Sequence, residues 1–368
     1  MGLIHYWIKT CDMNHESCKR PQVKDDPNWR PTRLIYVGEN DSQVRLVAGN
    51  EIAGDLKYAT LSHCWGKLSD RLVLIESQVD KWKEKMPTLG EWATFTEAIE
   101  ITRRLGLLYV WIDSLCIIQD SVRDWQQEYP RMCNVYKRSY CNIAATSATD
   151  DTMGCFWERD IGIDLPLRIH FGASAETANA ENTLSGGYDL CKTQTWIHDV
   201  RYSPLNARGW VLQERMISPR ILNFTDAQLY WECDEMQASE SYPYGFPNEA
   251  YAGVQFKSSN PFGLDLQETT RSFEQAFDVW ASAVQAYTVG SHWNTDGWAR
   301  NLTNGSDKLV AISAITRELQ SFFDCRYIAG HWERDLLRQL DWSGANYSER
   351  SDTYRAPSWS WASVDAPM

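Results

Sequence analysis

The sequence predicts an α/β protein built on a doubly wound, mainly parallel sheet, with an N-terminal β-hairpin and a largely helical C-terminal extension. The continuous apolar run at residues 107–112 is typical of a strand covered on both faces. Strand-like and helical stretches alternate around that run, which is the pattern of an open sheet with helices on both sides. Beyond residue 263, apolar residues recur at helical spacing instead.

The hairpin is predicted by two short β-rich runs, residues 33–37 and 44–47, which flank a turn rich in Gly, Asn, Asp and Ser. The first strand of parallel type follows at residues 58–63. Gly66 comes just after it, where a residue without a Cβ atom allows a sharp exit and a close approach of the backbone.

A helix is predicted between the first two parallel strands, because residues 94–97 have the spacing of a capping box and Gly106 ends the helical pattern. The strand at 107–112 then completes a βαβ unit, which is parallel and right-handed. A further helix is either kinked at Pro130 or begins there. Residues 140–145 form the third strand of the alternation.

The stretch 206–215 is predicted to form a short helix that begins after Asn206, places Arg208, Trp210 and Glu214 on adjoining turns, and is stopped by Ser218 and Pro219. Two strand-like runs follow at once, so Glu214 opens onto the sheet that they join. From residue types alone, the plainer interpretation is a buried tryptophan and a glutamate on the helix surface.

Four regions are predicted along the chain, with one plausible boundary in the irregular stretch at 236–263. A loop that long in a compact domain is either functional or a linker. The regions are an N-terminal extension with the hairpin (1–57), a core (58–235), an irregular linker or loop (236–263) and a helical region packed on the core (264–368). Within them, residues 171–187 are predicted as a surface insertion and residues 356–363 as a late strand or a sheet edge.

Charge and composition exclude several classes of partner. The formal net charge is −13, from 36 Lys and Arg against 49 Asp and Glu, and no basic run offsets it. Binding to nucleic acid or to a membrane is therefore not expected. Ten cysteines without a secretion signal or a membrane-spanning apolar run indicate reduced, mostly buried thiols. We expect a cytoplasmic protein.

Cys11, His15 and Cys18 lie close enough in sequence to supply three ligands to a zinc ion. No fourth ligand is visible nearby, and no second Cys/His pair stands at finger spacing. Two core cysteines and a capping histidine are the plainer interpretation, so the sequence assigns no metal and leaves these three residues as weak candidates.

Polar residues follow the predicted parallel strands at the edge where ligands bind in open α/β sheets. They are Ser62, His63, Cys64 and Trp65 after the first strand and Asp113, Ser114 and Cys116 after the second. Arg208 and Glu214 could close the same edge. As plainer alternatives, Asp113 caps the turn that follows it, and Gln119 and Asp120 are turn formers.

Four stretches in chain order resemble the heterokaryon incompatibility (HET) domain of filamentous fungi. They are residues 58–66, 109–120, 132–136 and 208–214, the last continuing through 231–233. Residues 7–18 and 357–361 resemble the flanks of such proteins. The resemblance implies allorecognition, in which such domains trigger growth arrest or programmed cell death after unlike cells fuse. Pro130 departs from the family, which usually leaves that helix unbroken, and this affects how Glu128 is presented.

HET domains are similar, more distantly, to Toll/interleukin-1 receptor (TIR) domains, which implies a TIR/flavodoxin-like core. Some TIR domains cleave NAD with a glutamate on a helix that begins with a Ser-x-Trp-Cys-x-x-Glu type pattern. Trp210 and Glu214 are spaced as in that pattern, although Val211 stands where the cysteine would be. The resemblance thus favours an NAD glycohydrolase-type enzyme with NAD as substrate and no permanently bound cofactor.

Under this hypothesis the candidate catalytic residues are Glu214, Asp113 and His63. The candidate ligand-binding residues are Ser62, Cys64, Trp65, Cys116, Arg208 and Trp210. Cleavage of the nicotinamide–ribose bond develops oxocarbenium character, which a carboxylate stabilises. A tryptophan can stack on a base, and an arginine can pair with pyrophosphate.

Two alternatives stay open. One is a stand-alone enzyme of fungal metabolism with Cys64 or Cys116 as nucleophile, His63 as base and Asp113 as orienting group. Adjacent strand residues point to opposite faces, which argues against pairing His63 with Cys64. The other is a non-catalytic signalling module that assembles with itself or with a partner protein.

Overall fold

The computed structural model describes most of the chain. The described residues are 1–18, 26, 28–67, 71–159, 167–171, 186–190, 192, 195–246, 269–289, 302, 304–344, 349–351 and 353–365. Most of the predicted insertion at 171–187 and the second part of the predicted linker at 236–263 lie outside these residues.

Ten α-helices and fourteen strands lie in the described residues. The helices are α1 Gly2–Asn14, α2 Val79–Glu84, α3 Ala93–Arg104, α4 Asp113–Cys116, α5 Val122–Glu128, α6 Met132–Lys137, α7 Val211–Ile217, α8 Thr269–Thr288, α9 Ser313–Phe323 and α10 Leu336–Gln339. The strands are β1 Arg33–Tyr36, β2 Arg45–Ala48, β3 Ala59–Ser62, β4 Tyr109–Ile112, β5 Cys141–Ala145, β6 Leu167–Phe171, β7 Gly186–Leu190, β8 Arg220–Phe224, β9 Leu229–Cys233, β10 Gln237–Ser239, β11 Tyr327–Ile328, β12 His331–Trp332, β13 Glu349–Arg350 and β14 Val364–Asp365.

The predicted α/β class with a large central sheet is confirmed. Eight strands form this sheet in the order β10-β9-β8-β5-β3-β4-β1-β2. The four inner strands β8, β5, β3 and β4 are parallel, and an antiparallel pair flanks them on each side. The chain runs from β3 outward to β4 and then returns to place β5 on the other side of β3. The strand order therefore reverses at β3, where open sheets leave a crevice.

The N-terminal strands belong to this main sheet. β1 pairs antiparallel with β2 and also with β4, so residues 33–48 extend the sheet on one side. Leu34 and Ile35 of β1 are fully buried, because this strand is covered like the inner ones.

The helix between β3 and β4 starts differently from the prediction. Its N-cap is Trp92, without a side-chain capping bond, so the predicted capping box is wrong. Thr94 Oγ1 accepts instead from the Gly154 backbone N–H at 3.1 Å, and Glu97 Oε2 accepts from the Phe156 N–H at 2.7 Å. Both side chains bind the loop that follows β5. These hydrogen bonds to a distant part of the chain replace the local bonds of a helix cap.

Pro130 lies in a short 3₁₀ helix that interrupts the helical stretch at 122–137, so the predicted break in the helix is present there. A 3₁₀ turn at Tyr129–Arg131 joins α5 to α6 and contains the proline. The Glu128 side chain before it is buried and accepts a hydrogen bond from Thr32 Oγ1 at 2.6 Å.

The segment before β8 forms a shorter helix than predicted. Leu205–Ala207 is a 3₁₀ turn, Arg208 is extended, and α7 begins at Val211 with Trp210 as its N-cap. Arg208 therefore precedes the helix, and Glu214 lies in its first turn. All seven residues of α7 are buried, so the interpretation of Glu214 as a surface residue is wrong.

The helical C-terminal part packs on α7. Residues of α8 and α9 form a second hydrophobic cluster, which Leu212 and Met216 of α7 join. The predicted strand at 356–363 is wrong: Trp361–Ser363 is a 3₁₀ turn, and the strand that follows it is β14. In the described part of the chain, no helix is both long enough and apolar enough to cross a bilayer.

Candidate functional site

A buried chain of hydrogen bonds runs across the parallel strands at the point where their order reverses. Thr60 and Asn142 are paired in register on β3 and β5, and Ser62 shares the face of Thr60. Thr60 Oγ1 donates to Asn142 Oδ1 at 3.0 Å, and Asn142 Nδ2 donates to Ser62 Oγ at 3.0 Å. Ser62 Oγ then donates to Glu214 Oε2 at 2.5 Å. The sheet thereby positions the carboxylate of Glu214.

The Glu214 side chain is nearly inaccessible, since only 3% of the residue is exposed. Burial raises the pKa of Glu214 from 4.5 to about 7, because an ionised carboxylate loses its hydration there. Arg208 and the Ser62 hydrogen bond act in the opposite direction, and Asp113 adds to the rise. Near neutral pH, Glu214 therefore holds its proton part of the time.

Tyr136 of α6 completes the surroundings of this carboxylate. Its hydroxyl donates to the Leu61 carbonyl at 3.3 Å, and the presence of Tyr136 acts to lower the pKa of Glu214. Burial raises the pKa of Tyr136 well above its ordinary value, so the phenol stays protonated. The sequence motif at 132–136 contains Tyr136, but its pattern alone assigned this residue no role.

His63 lies beside the carboxylates of two loops. Its Nδ1 is 3.7 Å from Asp113 Oδ1, and its Nε2 is 3.2 Å from Asp151 Oδ1, without a hydrogen-bond geometry to either. Phe95 packs edge-on against the imidazole at 5.3 Å between ring centroids. Burial lowers the pKa of His63 to about 4, although Asp113 raises it, so the ring is neutral at pH 7.

Asp151 is a site residue that was not predicted from the sequence. It lies in the loop that follows β5, beyond the residues at the end of the strand that the edge rule selects. Gly66 allows its loop to come close: the residue has a φ of +68°, and a Cβ atom there would lie 2.4 Å from the Asp150 Cβ atom. Burial raises the pKa of Asp151 to about 8, and Asp113 adds to that rise. Asp151 is therefore mostly protonated at pH 7.

Asp113 connects His63 with the rim of the site. Its Oδ1 accepts from the Ser114 backbone N–H at 2.8 Å, and its Oδ2 accepts from Trp65 Nε1 at 3.0 Å. The side chain is 16% exposed, more than the other acids of the site. Trp65 is half-buried, and its ring lies 6.0 Å from the Arg71 guanidinium.

Arg208 brings a positive charge to these acids. Its Nη1 donates to the His63 carbonyl, and its charge lowers the pKa values of both Glu214 and Asp151. The structure brings together four residues that the sequence predicted at one edge of the sheet: His63, Asp113, Arg208 and Glu214.

The two cysteine candidates do not take part in this network. Cys64 packs in a small apolar cluster with Ala144 and Val211, and burial raises its pKa to about 11. Cys116 belongs to the main hydrophobic core, and burial raises its pKa to about 12. Both sulfurs therefore stay as thiols at neutral pH.

Three other predicted residues have structural contacts. Trp210 is half-buried and packs against both hydrophobic clusters. Gln119 Nε2 donates to the Ile117 carbonyl at 3.0 Å, and Asp120 Oδ1 accepts from the Glu76 N–H at 2.9 Å. The last two hold their loop, in keeping with the interpretation as turn formers.

A separate group of residues has the composition of a metal site. The side chains of Cys11, His15 and Cys18 meet Cys233, the last residue of β9. The fourth ligand that was not visible near residues 11–18 thus comes from a distant strand.

Together, the fold and the site define an α/β domain with a buried acidic centre at the carboxyl ends of its parallel strands. Residues 58–214 match the family model of the heterokaryon incompatibility protein (HET), so this part of the chain is a HET domain. The matched segment begins just before β3 and ends at Glu214. No curated protein and no solved structure matches the chain.

Proposed function

We propose that this chain is an effector of fungal non-self recognition whose HET domain cleaves the nicotinamide–ribose bond of NAD, with Glu214 as the catalytic carboxylate. The HET domain supports a role related to heterokaryon incompatibility. The observation that carries the enzymatic part is the buried carboxylate of Glu214, which Ser62 binds where the strand order reverses.

The chemistry suits a carboxylate in such a place. Departure of nicotinamide leaves positive charge on the ribose, and an oriented carboxylate in a low-dielectric site stabilises that charge. The pKa of about 7 means that a substantial share of Glu214 is ionised at neutral pH. An incoming positive charge favours the ionised form further.

The surrounding residues supply the other roles. Arg208 pairs with the pyrophosphate, and the half-buried Trp65 stacks on the nicotinamide or the adenine. Trp65 suits stacking better than Trp210, whose ring packs between two hydrophobic clusters. Asp113 and the neutral His63 orient the attacking water. Arg208 and Trp65 are half-buried, so a substrate meets them before it meets the buried Glu214.

The strand order supports a TIR/flavodoxin-like core for this domain. Numbered along the chain, the four parallel strands follow the order 2-1-3-4, which begins the flavodoxin-like order. Ligands of such sheets bind at the switch point, and this is where Ser62 and Glu214 meet.

Two alternatives have weaker support. A thiol enzyme needs an ionised cysteine, and burial raises the pKa of both Cys64 and Cys116. A non-catalytic module that assembles with itself or binds a partner protein remains a proposal. Concentration-dependent assembly without NAD turnover would support it.

The test is release of nicotinamide from NAD by the purified chain. We expect turnover by the wild type and a loss of about 100-fold or more in Glu214→Gln, which keeps an acceptor for Ser62 but carries no charge. Glu128→Gln is the matched control, because Glu128 is also a buried glutamate that accepts a hydroxyl hydrogen. Equal turnover by the wild type and Glu214→Gln, or none by the wild type, would contradict the proposal.

A further inference from the structure

Four potential zinc ligands converge outside the HET domain. Cys11 and His15 lie one turn apart at the C-terminal end of α1, and Cys18 follows in the next turn. Cys233, which lies 218 positions from His15, ends β9. All four are buried, with an exposed fraction of 9% or less.

Their geometry is that of a closed tetrahedral site. The His15 Nδ1 atom is 3.4 Å from Cys233 Sγ and 3.8 Å from Cys18 Sγ. All four ligand atoms lie within 4.8 Å of one another. Zinc–sulfur bonds of about 2.3 Å and zinc–nitrogen bonds of about 2.0 Å place tetrahedral ligands roughly 3.5–3.8 Å apart. Only small side-chain shifts would be needed to fit the ion.

We propose that Cys11, His15, Cys18 and Cys233 bind one zinc ion that fixes the N-terminal helix to strand β9 of the central sheet. Three cysteines and one histidine form a structural zinc set, because all four positions around the ion are filled by protein. The site therefore stabilises the fold and binds no substrate. This proposal departs from the expectation that no cofactor is permanently bound, and it is independent of NAD chemistry.

The surroundings of the sulfurs support this assignment. Three thiolates around Zn²⁺ leave one negative charge, and Arg220 supplies a positive one by donating from Nε to Cys11 Sγ at 3.3 Å. The Glu235 carboxylate accepts from the Ser17 N–H at 2.5 Å, which ties the two ligand-bearing loops together.

The ion would stabilise the interface between α1 and β9. Trp7 of α1 stacks on Trp231 of β9 with 6.3 Å between ring centroids, and its Nε1 donates to the Pro243 carbonyl at 2.7 Å. Glu232, next to Cys233, forms a buried ion pair with Arg215 of α7 at 2.9 Å. The zinc site thus lies at one end of a strand that contacts the helix carrying Glu214.

The experiment is elemental analysis of the purified full-length chain, with thermal unfolding before and after treatment with a strong chelator. We expect one zinc per chain, a lower melting temperature after chelation and recovery on adding zinc salt. Cys233→Ser should bind zinc more than about 10-fold more weakly. Cys155→Ser is the matched control, because Cys155 is a buried free thiol away from the cluster, and it should keep its zinc.

A second measurement covers variants that fold poorly. Cobalt(II) added to the metal-free wild type should give the intense visible bands of tetrahedral coordination and a thiolate charge-transfer band. The proposal would be overturned if the purified wild-type chain contained no metal and its melting temperature did not change on treatment with the chelator. A disulfide among Cys11, Cys18 and Cys233, found by mass spectrometry of the native chain, would also overturn it.

Discussion

Ser62 donates its hydroxyl hydrogen to Glu214 across 152 positions of sequence, and this bond joins the first parallel strand to the helix before β8. The bond favours the ionised form of Glu214, whereas burial favours the protonated form. The balance between these two effects sets the charge of the site near neutral pH.

Replacing Ser62 by Ala removes that bond from a buried carboxylate. We expect the free energy of unfolding to fall by about 1–3 kcal/mol at pH 8, where Glu214 is ionised, and by less at pH 5. Denaturant unfolding at both pH values measures this. Ser114→Ala is the control, because the buried Ser114 Oγ has no hydrogen-bond partner within the described residues. A Ser114→Ala variant that loses as much stability as Ser62→Ala would contradict this account.

Glu214→Gln should change how stability depends on pH. The folded-state pKa is raised, so the stability contributed by the bound proton is fully present below about 4.5 and is lost as the pH rises through about 7. The wild type should therefore lose up to about 3 kcal/mol relative to Glu214→Gln between pH 5 and pH 8. Unfolding curves of the two proteins at several pH values test this. A constant difference between them would show that Glu214 does not titrate in this range.

Asp151→Asn should change the pH dependence of stability in the same direction as Glu214→Gln, over a wider range of pH. Burial raises the pKa of Asp151 from 3.8 to about 8, so its contribution declines as the pH rises toward 8. We expect Asp151→Asn to gain at least about 1 kcal/mol relative to the wild type between pH 5 and pH 8. Asp150→Asn removes a charge from the same loop at a more exposed position and should show a smaller change. Equal changes in the two variants would argue against the buried environment as the cause.

Arg215→Ala should be strongly destabilising. Arg215 and Glu232 form an ion pair at 2.9 Å with 7% and 0% of their side chains exposed, so the substitution leaves a buried carboxylate without its partner. We expect a loss of about 3–5 kcal/mol in the free energy of unfolding. Arg326→Ala breaks the exposed pair with Glu333 and should lower the free energy of unfolding far less, because solvent screens that pair. Similar losses in the two variants would contradict the role of burial.

The central sheet and one edge of the site could be predicted from sequence because both follow from local patterns. The apolar run before Asp113 and the alternation of strands and helices predict parallel strands, and parallel strands bring their carboxyl ends together. The sequence alone therefore suffices to place Ser62, His63 and Asp113 at the same edge of the sheet.

Other parts of the site depend on pairings that no local pattern contains. Asp151 approaches His63 only because Gly66 admits the loop after β5, and Asn142 joins Ser62 only through the register of β3 and β5. Thr94 and Glu97 have the spacing of a capping box, yet they bind that same loop.

The fourth potential zinc ligand, Cys233, also depends on a contact between distant parts of the chain. It reaches Cys11 and His15 because α1 packs against β9. Neither the spacing of residues 11–18 nor the local sequence around Cys233 contains that packing.

The most direct test of the central claim is the pH dependence of kcat/KM for NAD cleavage by the wild-type chain. If ionised Glu214 is the catalytic group, kcat/KM should rise as the pH increases from about 5.5 to 8.5, with an apparent pKa near 7. Residual activity of Glu214→Gln should lack that rise. A flat profile in the wild type, or the same rise in Glu214→Gln, would contradict the assignment of the chemistry to Glu214.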